Sequence, residues 1–137
     1  MEQDFEDRHE DVLQSVKRFE SMLKRAESSF FDLDTFEQIV EHYMEEGKFE
    51  EASQACEIAL EQYPYSVELM LCKAELSSSL GEYDEALEIL ARAELFNPSD
   101  NDITFLKGTI YSLKGDYQAA IATLTETLEN AEDKDEV

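Results

Sequence analysis

One short pattern recurs in this chain at a fixed interval, and it limits the possible folds more than any other feature. In it, a glycine is followed two positions later by an aromatic residue and five positions later by an alanine. The pattern occupies residues 47–52, 81–86 and 115–120, so its period is 34 residues. A fixed period of this size is typical of repeat architectures, in which each repeat is one supersecondary unit.

Each repeat is predicted to hold two helices. Before the first glycine, four apolar residues follow helical spacing: Phe36, Ile39, Val40 and Tyr43. They predict a helix from about Thr35 to Glu46, which Gly47 ends by adopting left-handed backbone. A second helix follows, lined by Phe49, Ala52, Cys56, Ala59 and Leu60. Pro64 closes it, and Pro98 closes the matching helix one period later, because proline cannot continue a helix.

Small residues recur where the two helices of a repeat are expected to cross. They are Ala52, Ala86 and Ala120 on the second helices, faced by Ala74 and Gly108 on first helices. An aromatic ring begins each second helix, and it is expected to fill space between its own repeat and the next. These rings are Phe49, Tyr83 and Tyr117. Because one helix pair cannot bury its apolar face alone, the repeats are expected to stack.

Residues 1–32 lie outside the repeating pattern. Six apolar residues there are spaced by three or four: Val12, Val16, Phe19, Leu23, Ala26 and Phe30. This spacing predicts an amphipathic helix, and Lys24 and Arg25 near its end suit the negative pole of the helix dipole. We expect this helix to pack on the first repeat and cap it. The alternative is a helix that binds a partner.

The residues at these positions resemble the tetratricopeptide repeat, whose unit reads W-x₂-L-G-x₂-Y, then A-x₃-F, then P. The first unit has Phe36, Ile39, Val40, Tyr43, Ala52, Cys56 and Pro64 at these places. The second has Met70, Lys73, Ala74, Ser77, Ala86, Leu90 and Pro98. The third has Thr104, Lys107, Gly108, Tyr111, Ala120 and Leu124, with Glu132 in place of the proline.

This resemblance implies an all-α fold, a right-handed α-α superhelix of antiparallel helix pairs, with an N-terminal packing helix over residues 1–32. It covers three repeats, at 33–66, 67–100 and 101–134, and leaves 135–137 as a tail or the start of a further repeat. Lys73 and Lys107 stand where the pattern has leucine, and Ser77 where it has tyrosine. We expect these departures to loosen the packing locally.

The resemblance also implies a function, that of a protein–protein interaction scaffold. In this family the first helices line a concave groove that holds a peptide or a partner helix. The groove residues implied here are Asp34, Glu37, Glu41, Glu45, Glu68, Leu71, Glu75, Ser78, Phe105, Thr109 and Ser112. Such a groove is acidic in the first repeat and apolar near Leu71 and Phe105, which suits a protein segment with Lys or Arg beside an apolar anchor. The alternative is an acidic face that is simply solvated.

One known site of the family is not expected in this chain. It is a two-carboxylate clamp for the C-terminal tails of chaperones, built from Lys, Asn and Arg. The matching positions hold Glu37, Glu41, Cys72, Asp102 and Leu106. These side chains cannot clamp a carboxylate, because an anion site needs donors or positive charge.

The charge of the chain restricts its partners. It has 11 Lys and Arg against 34 Asp and Glu, a formal net charge of −23. This argues against binding nucleic acid or an anionic membrane, since both attract basic residues. The acidic start and the lack of a long apolar run predict neither a secretory signal nor a membrane span, so we expect a cytoplasmic protein. Charge alone also allows an acidic mimic of nucleic acid, although such a mimic would concentrate its charge on one face.

Catalytic chemistry is not indicated. His9 and His42 accompany no nucleophile motif, and no two carboxylates stand out as an acid and base pair. Cys56 and Cys72 are too few for a zinc site or a disulfide framework, and we expect them to pack as small apolar residues. We therefore predict no enzyme and no cofactor or metal. An enzyme-associated regulatory subunit remains an alternative to the scaffold.

The C-terminal end of the repeats is predicted to be apolar. The last helix, from about Tyr117 to Ala131, carries Tyr117, Ala120, Ile121, Leu124 and Leu128 on one side. Either further repeats follow, or this surface meets another molecule. A two-fold homodimer is the commonest closed arrangement of that kind. The alternative is that Glu126, Glu129 and the acidic tail solvate the end.

Overall fold

The computed structural model describes residues 2–25 and 30–135, with side chains described for 8–25 and 30–129. Every regular element in those residues is an α-helix. The seven helices described are α1 Glu2–Arg25, α2 Leu33–Glu45, α3 Phe49–Gln62, α4 Val67–Ser79, α5 Tyr83–Phe96, α6 Asn101–Lys114 and α7 Tyr117–Asp135. This confirms the prediction of an all-α chain with one N-terminal helix and three helix pairs.

The helices begin and end at residues with the expected backbone chemistry. The backbone φ angles of Gly47, Gly81 and Gly115 are 74°, 80° and 92°, values that residues other than glycine rarely adopt. At the other ends, Asp32 and Ser66 cap α2 and α4, accepting hydrogen bonds from backbone N–H groups three residues later. Helix α2 runs from Leu33 to Glu45, so the predicted bounds, Thr35 and Glu46, each differ from the observed ones by at most two residues.

The last helix is longer than predicted. It runs to Asp135, whereas the sequence suggested an end near Ala131. The first two repeats stop their second helices just before Pro64 and Pro98, and the third has Glu132 in that place. Since glutamate can continue a helix, α7 passes the point where its counterparts end. Most of the predicted C-terminal tail lies outside the described residues.

The chain forms two compact units, Met1–Pro64 and Tyr65–Val137. In the first unit, α1 packs on α2, and α2 packs on α3. Its core is aromatic: Phe31 and Phe36 have ring centroids 5.3 Å apart, and Phe19 contacts both at 6.1 and 6.5 Å. The Tyr63 hydroxyl donates a hydrogen bond to the Phe31 carbonyl at 2.8 Å, which holds the segment before α2 against the end of α3.

The N-terminal stripe is only partly as predicted. Val16 and Phe19 are buried, but Phe30 is 74% exposed, and Phe31 is buried instead. The predicted stripe assumed one continuous helix through Phe30, whereas α1 is described only to Arg25 and the chain is non-helical at residues 30–32. Because the segment is not helical there, the three- and four-residue spacing no longer keeps Phe30 on the side of the stripe, and Phe31 lies in the core. Ala26 lies outside the described residues.

The second unit contains α4–α7, in which α4 packs on α5, α5 on α6, and α6 on α7. The small crossing residues are buried as predicted: Ala74 and Ala86 are fully buried, and Ala120 is 4% exposed. At Gly108 an added Cβ would lie 2.6 Å from Leu124 Cδ2, so α6 and α7 approach closely at this point. Tyr117, expected to fill space between its own repeat and the next, is 65% exposed.

Candidate functional site

In the first unit, the predicted groove residues lie on α2. Asp34, Glu41 and Glu45 are exposed and Glu37 is half-buried. Helix α1 contributes to the same surface, because it forms with α2 a cleft of about 450 Å³. The cleft is lined by Arg8, His9, Asp11, Val12, Gln38, Glu41, His42 and Glu45. Sequence analysis missed the α1 residues here, since no local pattern encodes how α1 sits along α2.

A hydrogen bond fixes α1 against α2 in this unit. The Tyr43 hydroxyl donates to a Glu20 carboxylate oxygen at 2.9 Å. Burial raises the pKa of the Tyr43 phenol, and the hydrogen bond to Glu20 raises it further. The phenol therefore stays protonated and remains a donor at any physiological pH. On the same helix, the Arg18 guanidinium lies 4.2 Å from the centroid of the Phe31 ring, a cation–π contact.

In the second unit, the predicted groove residues lie on α4 and α6, which contact each other. Glu68 and Glu75 are exposed on α4, with half-buried Leu71 and Ser78 beside them. On α6, the Phe105 ring is 61% exposed, and Thr109 and Ser112 are also exposed. Spacings of three and four residues place the members of each set on one face of their helix.

The residues of this unit that depart from the repeat pattern are buried or half-buried. Lys73 is only 5% exposed and Ser77 is fully buried, so both take the core positions that the pattern assigns to apolar or aromatic residues. Lys107 forms an ion pair with Glu94 at 2.6 Å, which links α6 to α5. This contact joins adjacent helices at one of the positions where local loosening is expected.

A further exposed apolar cluster was not predicted. Tyr65 and Leu95 are 74% and 80% exposed, and Phe96 is 47% exposed. The Tyr65 and Phe96 rings meet edge to face, 5.4 Å between centroids. The repeat period could have revealed this cluster, because Glu61 and Gln62 stand one period before Leu95 and Phe96. The fold therefore does not require apolar side chains there.

The remaining chemically reactive side chains form no cluster in the part of the chain that is described. Cys56 is buried and Cys72 is half-buried, and neither takes part in a disulfide. His9 is exposed and His42 is half-buried, and both line the α1–α2 cleft. Among the described residues, no three His, Cys, Asp or Glu side chains gather as metal ligands would. Likewise, none of the described helices has both the length and the apolar content of a membrane span.

Comparison with solved structures shows that the chain shares the fold of MamA. A crystal structure of MamA superimposes with a TM-score of 0.69 at 18% identity, over 76% of this chain and 61% of that one. A mutant form of MamA superimposes with a TM-score of 0.67 at 17% identity, over 89% of this chain and 93% of that one. In three of the MamA structures, this chain spans about three fifths of the length of the matched chain, at 61%, 56% and 59%. No curated protein sequence matches the chain.

Comparison with protein families shows the relationship directly. One model of the tetratricopeptide repeat matches residues 43–110, and a second matches residues 105–137. Together they cover residues 43–137, which include all three recurring patterns of glycine, aromatic residue and alanine. Most of the first helix of the first repeat lies before the matched residues. The helix pairs, the glycines with positive φ and the buried small residues at the crossings agree with this match. The chain belongs to the tetratricopeptide repeat family.

Proposed function

We propose that this tetratricopeptide repeat protein is a scaffold that binds a protein segment carrying Lys or Arg beside an apolar anchor, through the groove-lining faces of its first helices. Tetratricopeptide repeats serve generally in protein interaction. The observation that carries the proposal is the exposed Phe105 ring on α6, which shares the second unit with the exposed carboxylates of α4. With the half-buried Leu71 on α4, this ring offers apolar surface that an anchor residue of a partner could cover.

The electrostatics of both units support a basic partner. On α4, Glu68 and Glu75 are seven residues apart and therefore lie on one face, with Leu71 between them. On α2, Glu41 and Glu45 are one helical turn apart and exposed. Opposite charges across an interface speed association and select the partner, while the apolar anchor supplies most of the affinity. In this proposal the exposed carboxylates and the apolar anchor act in binding, and no catalytic step is assigned to them.

The test is an unbiased peptide selection against the 137-residue chain. Random peptides displayed on phage would be selected for binding, and the enriched sequences synthesised with a fluorescent label. We expect enrichment of Lys or Arg within a few positions of an aromatic or aliphatic residue. Phe105→Ala should weaken the binding of these peptides roughly tenfold or more, as expected for an aromatic anchor. Because Phe105 is exposed, the substitution should leave the helical circular dichroism signal unchanged.

A matched pair of charge reversals tests the electrostatic part. Glu68→Lys with Glu75→Lys alters the proposed face, whereas Glu85→Lys with Glu88→Lys makes the same change in net charge at exposed sites on α5. Only the first pair should weaken peptide binding, measured by fluorescence anisotropy at low salt. Equal effects from both pairs would reduce the proposal to nonspecific attraction. Enrichment of acidic peptides, or peptide binding unaffected by Phe105→Ala, would overturn it.

A further inference from the structure

Helix α7 exposes a row of large apolar side chains that the face proposed above does not include. Tyr117, Ile121 and Leu128 are 65%, 67% and 66% exposed, and we call them the α7 stripe. Steps of four and seven residues place all three on one side of the helix. Rows of exposed apolar side chains of this kind mark interaction surfaces.

The chain contains its own comparison for this surface, because α5 is the same helix one period earlier. Tyr83 and Leu87 stand at the positions of Tyr117 and Ile121, and both are half-buried. Helix α5 is followed by α6, which packs on it. The α7 stripe therefore corresponds to the side of α5 that holds a neighbouring helix.

Two ion pairs show which side of α5 faces α6. Lys107 binds Glu94 at 2.6 Å, and Lys114 binds Asp84 at 2.5 Å. One period later, Leu128 stands in the place of Glu94. A helix seated on α7 as α6 is seated on α5 would therefore meet an apolar residue where α6 meets a carboxylate. It should carry an apolar side chain, rather than lysine, at that point.

Charge decides between a foreign helix and a second copy of the chain. The second unit contains 16 acidic and 5 basic residues between positions 65 and 137. Glu129, next to Leu128, is exposed. Two copies meeting through the α7 stripe would bring these like charges together, whereas a helix with basic residues beside its apolar face would neutralise them.

We propose that the α7 stripe docks an amphipathic helix of a partner protein, seated as α6 is seated on α5. The partner helix presents an apolar side chain to Leu128 and basic residues at its edge. This surface is separate from the faces of α4 and α6, so the proposal holds whether or not those faces bind a peptide.

Helix α6 itself supplies the probe. Two labelled peptides would copy residues 99–116 with Asp102→Lys and Asp116→Lys, which supply the basic residues that the proposal requires. One leaves Lys107 unchanged and the other also carries Lys107→Leu. Their binding to the 137-residue chain would be measured by fluorescence anisotropy. We expect the Lys107→Leu peptide to bind roughly tenfold tighter, because the peptide that keeps Lys107 places a desolvated ammonium group against Leu128. If the peptides instead displaced the chain's own α6, the order would be reversed, since Glu94 favours lysine.

A charge swap on the chain makes the test specific. Leu128→Glu should weaken the Lys107→Leu peptide and strengthen the one that keeps Lys107, so that the preference inverts. Leu95→Glu introduces the same charge at another exposed leucine and should change neither. Binding of neither peptide up to millimolar concentration, or a preference that Leu128→Glu leaves unchanged, would overturn the proposal. So would a concentration-dependent dimer in sedimentation that Ile121→Glu converts to monomer, because the occupant would then be a second copy.

Discussion

A single hydrogen atom at Gly108 sets how closely α6 and α7 approach. A Cβ there would lie 2.6 Å from Leu124 Cδ2 and 2.7 Å from Leu124 Cγ, both closer than van der Waals contact allows. Gly108 has helical backbone and does not need the freedom of glycine for its φ angle. Its role in the fold is therefore steric, and the residue it accommodates is Leu124.

This contact leads to a prediction about coupling. Gly108→Ala alone combines a gain in helix propensity of up to about 1 kcal/mol with the cost of moving Leu124. In a Leu124→Ala background the clash disappears and only the gain remains. We therefore expect Gly108→Ala to be more favourable in that background by about 1 kcal/mol, measured by urea unfolding of all four variants. Strictly additive effects would show that the two side chains do not compete for this space.

At the scale of the helix, the segment before α2 shows what capping contributes. Asp32 Oδ1 accepts a hydrogen bond from the Thr35 backbone N–H at 2.8 Å, and Asp32 begins the helix that carries the core residue Phe36. The Thr35 side chain and then its backbone N–H lower the pKa of the Asp32 carboxyl by hydrogen bonding, and the Arg18 charge lowers it further. The cap is thus strongest when the carboxyl is ionised.

The sign of the pH effect follows from this shift. Since the pKa of Asp32 is lower in the folded chain than in the unfolded one, its contribution is complete above about pH 4 and is lost as pH falls through the folded value. Asp32→Ala should therefore lower the urea midpoint at neutral pH, and the difference from the parent should shrink in acid. Asp32→Asn, which keeps an acceptor but cannot titrate, should show a smaller loss at neutral pH. A difference between Asp32→Ala and the parent that is constant with pH would contradict the assignment.

The elements were predictable from the sequence wherever a local signal defines them. Gly47 and Pro64 fix the ends of helices through backbone geometry alone, which a sequence displays directly. The position of Phe30 was not predictable in this way, because the stripe continued in register past the end of the helix. Similarly, the α1–α2 cleft depends on how two helices pack against each other, and no single segment of the sequence specifies that packing. The repeat boundaries and the groove residues stay predictions.

At the scale of the whole molecule, charge dominates. A chain with 34 acidic and 11 basic residues repels itself in the compact state. Because the chain has 11 basic residues for 34 acidic ones, ion pairs such as Lys107 with Glu94 can neutralise only a minority of its carboxylates. Ion pairs at the protein surface, such as Lys114 with Asp84, each contribute about 1 kcal/mol or less. Salt should therefore relieve more repulsion than it removes attraction.

The resulting prediction is that sodium chloride stabilises the free chain while it weakens the complex with a basic peptide. Between about 0.01 and 1 M salt, the screening length falls from roughly 30 to 3 Å. If the net gain is about 1 kcal/mol, the thermal midpoint of a chain this size rises by roughly 4 °C, measured by circular dichroism.

Over the same range, the anisotropy titration should show a larger dissociation constant for any peptide bound through the acidic faces, because that attraction is screened. Sodium chloride is the appropriate salt, since sulfate would strengthen apolar burial and obscure the charge effect. A midpoint that falls with salt would mean that attractive pairs outweigh the repulsion. An unchanged dissociation constant would mean that the acidic faces take no part in binding.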